Sequence, residues 1–125
     1  MDATEENIQL VERFFNAVVN NPDRLDDICA KTFILVEPDL FPGPFNDLAS
    51  YKAFLSANPL SGWTFRVTHA EPIGESVSIR YTGQGLWAGE PVTMLRKANL
   101  QFWEGRLQRY DGAPDSDGKT AEVQR

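Results

Sequence analysis

Histidine and cysteine each occur once in these 125 residues, as His69 and Cys29, and no apolar run approaches the ~18 residues that a membrane-spanning helix needs. One cysteine cannot close an internal disulfide, and one histidine cannot anchor a typical zinc site. Basic residues are also short: 12 Lys and Arg stand against 18 Asp and Glu, for a formal net charge of -6, and they form no run. A phosphate backbone would be repelled, so nucleic acid is not an expected partner. The chain has no phosphate-cradling glycine loop and no Gly-x-Ser-x-Gly elbow, which leaves nucleotide use and serine hydrolase chemistry without support. Asp115-Ser116-Asp117-Gly118 has the start of a calcium loop without its downstream acid, and reads as a solvated tail. The first residues, Met1-Asp2-Ala3-Thr4-Glu5-Glu6, carry acid where a signal segment would carry base and then an apolar run. These absences lead to the expectation of a cytoplasmic protein that uses no metal and no cofactor.

What is present fits one domain, with 42% hydrophobic and 24% charged residues. The expected domain covers residues 1–112, followed by a flexible tail over 113–125. Thr4 is a suitable N-cap, and Ile8, Val11, Phe14, Phe15 and Val18 recur at helical spacing, predicting a helix from about Glu5 to Val19. Asn21-Pro22 opens a second, shorter helix with Leu25, Ile28 and Cys29 on its inner side, which makes Cys29 a buried structural thiol. Phe33 to Val36 reads as a buried strand that ends at Glu37-Pro38. Asp39 to Phe45 is a proline-rich loop, and Asp47 caps a third helix with Leu48, Tyr51, Phe54 and Leu55 inward.

The second half alternates with a period of two. Trp63, Phe65, Val67 and His69 form one strand face, and Val77, Ile79 and Tyr81 another. From Ser76 to Gly112 the chain reads as three antiparallel strands, the last two joined at Glu104-Gly105 by a two-residue turn. Uninterrupted pairing from that turn sets Phe102 against Leu107, Leu100 against Arg109 and Ala98 against Asp111. One face then carries Ala98, Leu100, Phe102, Leu107, Arg109 and Asp111, and the other carries Trp103 and Tyr110 among polar residues. Aromatics in that setting suit a two-fold contact, so a homodimer through this outer face is expected.

The order of helices and strands resembles the nuclear transport factor 2-like superfamily, and most of all its SnoaL-like polyketide cyclase branch. The residues that carry the resemblance run from about Asn7 to Tyr110: Phe14-Phe15, Val36-Glu37-Pro38, Gly43-Pro44-Phe45 leading to Tyr51-Lys52-Ala53-Phe54, Gly85 to Gly89-Glu90-Pro91, and Glu104-Gly105-Arg106-Leu107. The resemblance implies an α+β cone, with three N-terminal helices packed on a curved, mainly antiparallel sheet around a pocket, in a homodimer. Its relatives include isomerases, cyclases and hydrolases as well as non-catalytic binding domains. It also implies an acid/base residue near the end of the last strand, where Asp111 stands.

Four polar residues fall on the faces expected to point inward: His69, Tyr81, Arg109 and Asp111. Asp111 is the expected proton carrier, Arg109 its orienter or a clamp on a developing oxyanion, and His69 a second proton carrier. The alternative is that Arg109 and Asp111 only neutralise each other, with His69 a hydrogen-bonded wall residue. Glu37, Trp63, Trp87, Phe41 and Phe45 are the expected ligand contacts around a small apolar molecule. The residues leave open whether the chain is a catalyst or a non-catalytic binding or dimerisation module.

Overall fold

The period at the N-terminus becomes α1 (Ala3–Asn20), whose first turn holds Glu5 and Glu6 at the positive end of the helix dipole. Val11, Phe14, Phe15 and Val18 are all buried, so the stripe expected from spacing is the stripe that packs. In this computed structural model the described residues are 3–41, 43–57 and 59–115. After α1, Pro22–Asp27 forms a 3₁₀ helix whose N-cap, Asn21, makes no side-chain capping bond. The second helix is therefore shorter and tighter than its sequence suggested. Cys29 lies beyond it, as the first residue of β1 (Cys29–Val36), because Ile28 already closes the 3₁₀ turn. Burial pushes the Cys29 thiol up to about 12, which keeps it protonated and inert.

Asp47 does cap α2 (Leu48–Leu55), accepting a hydrogen bond from the Ser50 amide at 2.8 Å. The strands β2 (Thr64–Ile73), β3 (Ser76–Trp87), β4 (Glu90–Trp103) and β5 (Arg106–Pro114) complete a five-stranded sheet in the order β1-β5-β4-β3-β2. All neighbours are antiparallel except β1 and β5, which run parallel. The fold is α+β, with the helical residues and the inner sheet residues Val77, Ile79, Leu100 and Leu107 buried in one core. Among the described residues no helix is long and apolar enough to cross a membrane.

Two bulges change which side chains face that core. At the β4–β5 turn, Glu104 and Gly105 both have positive φ (52° and 78°), and Trp103 pairs with Arg106 and Phe102 with Leu107, as the turn chemistry dictates. Beyond that the register shifts, so that Gln101 opposes Arg109, Leu100 opposes Tyr110, Asn99 opposes Asp111 and Ala98 opposes Gly112. Gln108 is the extra residue, and its side chain is held by the Thr32 carbonyl and hydroxyl at 3.1 and 2.9 Å. A one-residue slip reverses every later side chain, so the expected inner face is corrected: Tyr110 and Gly112 point inward, Arg109 and Asp111 outward. The same device acts in β2, where Val67 pairs with Tyr81 but His69 pairs with Arg80. Thr68 takes up the slip and His69 leaves the inner face.

β5 continues through Ala113 and Pro114, which pair with Lys97 and Arg96, and the Asp115 amide donates to the Leu95 carbonyl at 3.0 Å. The first residues assigned to the tail thus belong to the sheet, while the flexibility expected of residues 116–125 and the acidic stretch ending at Gly118 lie outside the described residues.

Trp63 lies flat over β3 because Gly85 has no side chain: a Cβ there would meet the indole at 2.3 Å. Gly85→Ala is expected to lower stability by about 1–3 kcal/mol, the range for overpacking a filled core, and to change the tryptophan emission. Urea unfolding followed by fluorescence checks this; an unchanged midpoint would show that the indole has room to move.

Candidate functional site

Between α1, α2 and the inner sheet lies a cavity of about 350 Å³. Its walls are apolar for most of their extent. Trp63 and Phe65 stack at 6.0 Å between ring centroids, Phe65 and Phe15 at 5.3 Å, and Phe15 meets Tyr81 at 4.8 Å, making one continuous aromatic side. Gly83 and Gly85 make this possible, since a Cβ at either would strike Phe65 or Trp63. Leu40, Leu86 and Trp87 also line the cavity while remaining exposed, and so form its rim.

The polar groups gather at one wall. Glu37 follows the last residue of β1, and its carbonyl accepts from the amides of Leu40 and Phe41, both at 2.9 Å, closing a tight turn that carries Asp39 back over the sheet. Arg96 comes from β4, directly opposite Tyr81 of β3. Its Nη2 donates to Glu37 Oε2 at 3.0 Å and to Asp39 Oδ1 at 3.0 Å, and its Nη1 donates to Asp39 Oδ2 at 2.8 Å. The Arg96 side chain is only 3% exposed and that of Glu37 9%, so this is a buried pair tied to a partly exposed third member. The hydroxyls of Tyr81 and Tyr110 lie 2.5 Å apart and hydrogen bond to each other.

The three charged groups are held differently. Burial pushes the Glu37 carboxyl up, against the pull of the Arg96 guanidinium and a hydrogen bond from Tyr81. The hydrogen bonds from Arg96 hold Asp39 below the usual carboxylate range. Burial opposes the Arg96 charge, but Asp39, Tyr81 and Glu37 together keep it firmly protonated. Burial likewise raises Tyr51, Tyr81 and Tyr110, with the Glu37 charge adding to each, so all three phenols keep their protons. The wall therefore offers a carboxylate poised to take a proton beside hydroxyls that do not give theirs up.

Of the residues singled out from the sequence, Tyr81, Glu37, Trp63, Trp87 and Phe41 line the cavity. Phe45 stands behind Phe41, ring edge to ring face at 5.3 Å, as part of a cluster with Tyr51 and Phe54. His69 is exposed and sits 3.9 Å from Glu71, while Arg109 Nε donates to Asp111 Oδ2 at 2.8 Å, with both side chains partly exposed on the outer face. The structure does not bring His69, Arg109 and Asp111 together with Tyr81. Arg96, Asp39 and Tyr110 were the residues not found in sequence. Arg96 was within reach, because it shares the alternation of Ala98, Leu100 and Phe102 and so extends their inward face by one step. Tyr110 was not, because a bulge made without glycine leaves no mark in the sequence.

Among the described residues no group of three His, Cys, Asp or Glu side chains could hold a metal ion. No protein-family model and no curated protein matches the sequence. Solved structures do match. A LEH-like epoxide hydrolase from M. tuberculosis superposes with a TM-score of 0.79 at 16% identity, over 98% of this chain and 88% of its own. A protein from Jannaschia sp. CCS1, described as a SnoaL-like polyketide cyclase, gives 0.75 at 12% identity, over 98% and 95%. TerC, co-crystallised with polyporic acid, gives 0.76 at 15% identity, over 96% and 99%. At these identities the likeness is one of architecture, and with the helices, the mixed sheet and the covered inner face already described it settles the fold: this chain has the nuclear transport factor 2-like cone fold.

Proposed function

We propose that the chain acts on a small, largely apolar molecule by cofactor-independent acid/base chemistry, as an isomerase, cyclase or hydrolase, with Glu37 as the proton carrier. The observation that carries this reading is a buried carboxylate, raised in pKa, at the polar end of an aromatic cavity. Glu37 in its ionised form takes a proton from a substrate C–H or from water, and returns it later as the acid. Arg96 keeps the ionised form available, and Asp39 anchors Arg96 so that the guanidinium does not swing away. Once Glu37 has taken the proton, the Tyr81 hydroxyl is released from the carboxylate and turns to the substrate oxygen on which charge develops, with Tyr110 behind it. The hydrolase and cyclase descriptions of similarly folded proteins fit this chemistry.

The test is a thermal-shift screen of small apolar carbonyl compounds and epoxides, followed by turnover assays on the hits. Glu37→Gln is expected to bind within a few fold of the wild type and to turn over ~100-fold more slowly or worse. Asp111→Asn addresses the position expected from sequence: a loss of that size there would move the proton carrier to β5. Tight binders that no form converts would make the chain a binding module.

The raised carboxyl also predicts how stability varies with pH. Glu37 binds its proton more tightly in the folded chain than in the unfolded one, so its contribution is fully present below its ordinary value of 4.5 and is lost as pH rises through the higher folded value. Asp39 works in the opposite sense, losing its contribution as pH falls from its ordinary value of 3.8 through its lower folded value. Urea midpoints are therefore expected to decline from mildly acid towards neutral pH, and Glu37→Gln should flatten that decline. An equal slope in the variant would assign it to other groups.

The chain is further proposed to form a homodimer through the outer sheet face, where Ser78, Asn99 and Gln101 lie beside the Arg109–Asp111 ion pair and Trp103 is 62% exposed. Tyr110 is not part of this surface. Light scattering should give a dimer mass at micromolar concentration, and a monomer mass would reject the proposal.

A further inference from the structure

Gly112 has no backbone reason to be glycine. Gly62, Gly74, Gly89 and Gly105 have positive φ, and Gly112 does not. Its reason is space. A Cβ built on Gly112 would meet Glu37 Oε2 at 2.6 Å, Glu37 Cγ at 2.8 Å and Tyr110 Cε1 at 2.8 Å, all closer than real Cβ contacts come. None of these neighbours yields cheaply, because Glu37 Oε2 is held by Arg96 and the Tyr110 ring is 2% exposed and bonded to Tyr81. The residue across the ladder is Ala98, so two small residues lie side by side where the inner face of the sheet would otherwise fill with larger ones.

We propose that Gly112 is a positioning residue: its missing side chain is the slot in which the Glu37 carboxylate lies against β5, within reach of Arg96 on β4. The proposal rests on Glu37 being the functional carboxylate, and it places a determinant of that carboxylate's geometry on the last strand, at a residue with no chemistry of its own. The bulge at Gln108 is what brings it there. With unbroken alternation the position opposite Ala98 would be Asp111, and a second carboxylate would compete with Glu37 for Arg96. The slip puts a glycine in that place and sends Asp111 outward to Arg109. The site keeps one cavity-facing acid, delivered from the end of β1.

The groups that face Glu37 are Arg96 from β4, Tyr81 from β3, Tyr110 from β5, Tyr51 from α2 and Asp39 from the turn after β1. Displacing the carboxylate changes its distance to all of them at once, so its titration is the direct readout. In protein labelled at the glutamate side-chain carboxyl carbon, with Glu37 assigned through Glu37→Gln, Gly112→Ala is expected to move the Glu37 midpoint by at least half a pH unit. Gly83→Ala is the matched control, because its Cβ would meet Phe65 Cε1 at 2.8 Å and crowds the same cavity without touching Glu37. It should destabilise the fold and leave the Glu37 midpoint where it is.

Removing the acid beyond its Cβ should relieve both of its close contacts, at Oε2 and at Cγ. Glu37→Ala alone is expected to lower the folding equilibrium constant, whereas Glu37→Ala added to Gly112→Ala is expected to raise it at least threefold over Gly112→Ala, a coupling that independent sites do not show. Should Gly112→Ala alone fail to fold, the double variant still decides, since it folds if Glu37 is the obstruction and fails with the single variant if Tyr110 or the strand itself is. Additive effects, an unmoved midpoint in folded Gly112→Ala, or an unfolded double variant would each overturn the proposal. None of these readouts needs a substrate, so a failure here is distinct from a failure to find turnover.

Discussion

A guanidinium shut away from water has to be answered by anions, and at Arg96 that requirement ties the two halves of the chain together. Breaking such a pair from one side typically costs about 3–5 kcal/mol, because the remaining charge stays buried without a partner. Here the answering groups are Glu37 and Asp39, which come from the same turn. That turn is consequently drawn down onto β4, the loop after it is held over the cavity with Phe41 packed on Phe54, and the polar wall is assembled opposite the aromatic one. The burial that makes Arg96 dependent on its carboxylates also makes Glu37 reluctant to stay ionised. The stability of this wall and the raised Glu37 carboxyl have one cause.

The fold was legible because its signals are local and repeated. The 3.6-residue stripe of α1, the Asp47 cap, the alternation in β3 and the Glu104-Gly105 turn each name an element without reference to the rest. The site was legible only where it lay on unbroken elements. Glu37 ends a strand that the sequence marks plainly, and Tyr81 sits in a clean alternation with Val77 and Ile79. His69, Arg109 and Asp111 lay beyond bulges at Thr68 and Gln108, and each bulge reverses the parity on which the reading depended. Gln108 is specified by Thr32 on a neighbouring strand, a contact that sequence order does not reveal. The error was therefore confined to parity, and it moved a whole constellation at once.

Glycine has two separate uses in this sheet. At the hairpin turns it supplies a left-handed backbone, and at Gly83, Gly85 and Gly112 it supplies volume. The second use is invisible to turn rules, yet it shapes the cavity: two glycines on β3 receive Phe65 and Trp63, and one on β5 receives Glu37. An apolar wall and a polar wall are built by the same omission.

The parallel pairing of β1 with β5 joins Ile34 to Arg109 and Val36 to Asp111, and so the first to the last of the described strands. Antiparallel hairpins between neighbouring strands can close as soon as both arms exist, but this ladder cannot form until β5 has been made. During synthesis α1 and β1 must wait with their apolar faces uncovered while β2, β3 and β4 are made, and the acid-bearing turn after β1 waits with them. Within the domain the order of synthesis thus runs opposite to the order of completion of the candidate site: β1 is made before the other strands and is fixed after them, and the cavity comes into being only when β1 meets β5.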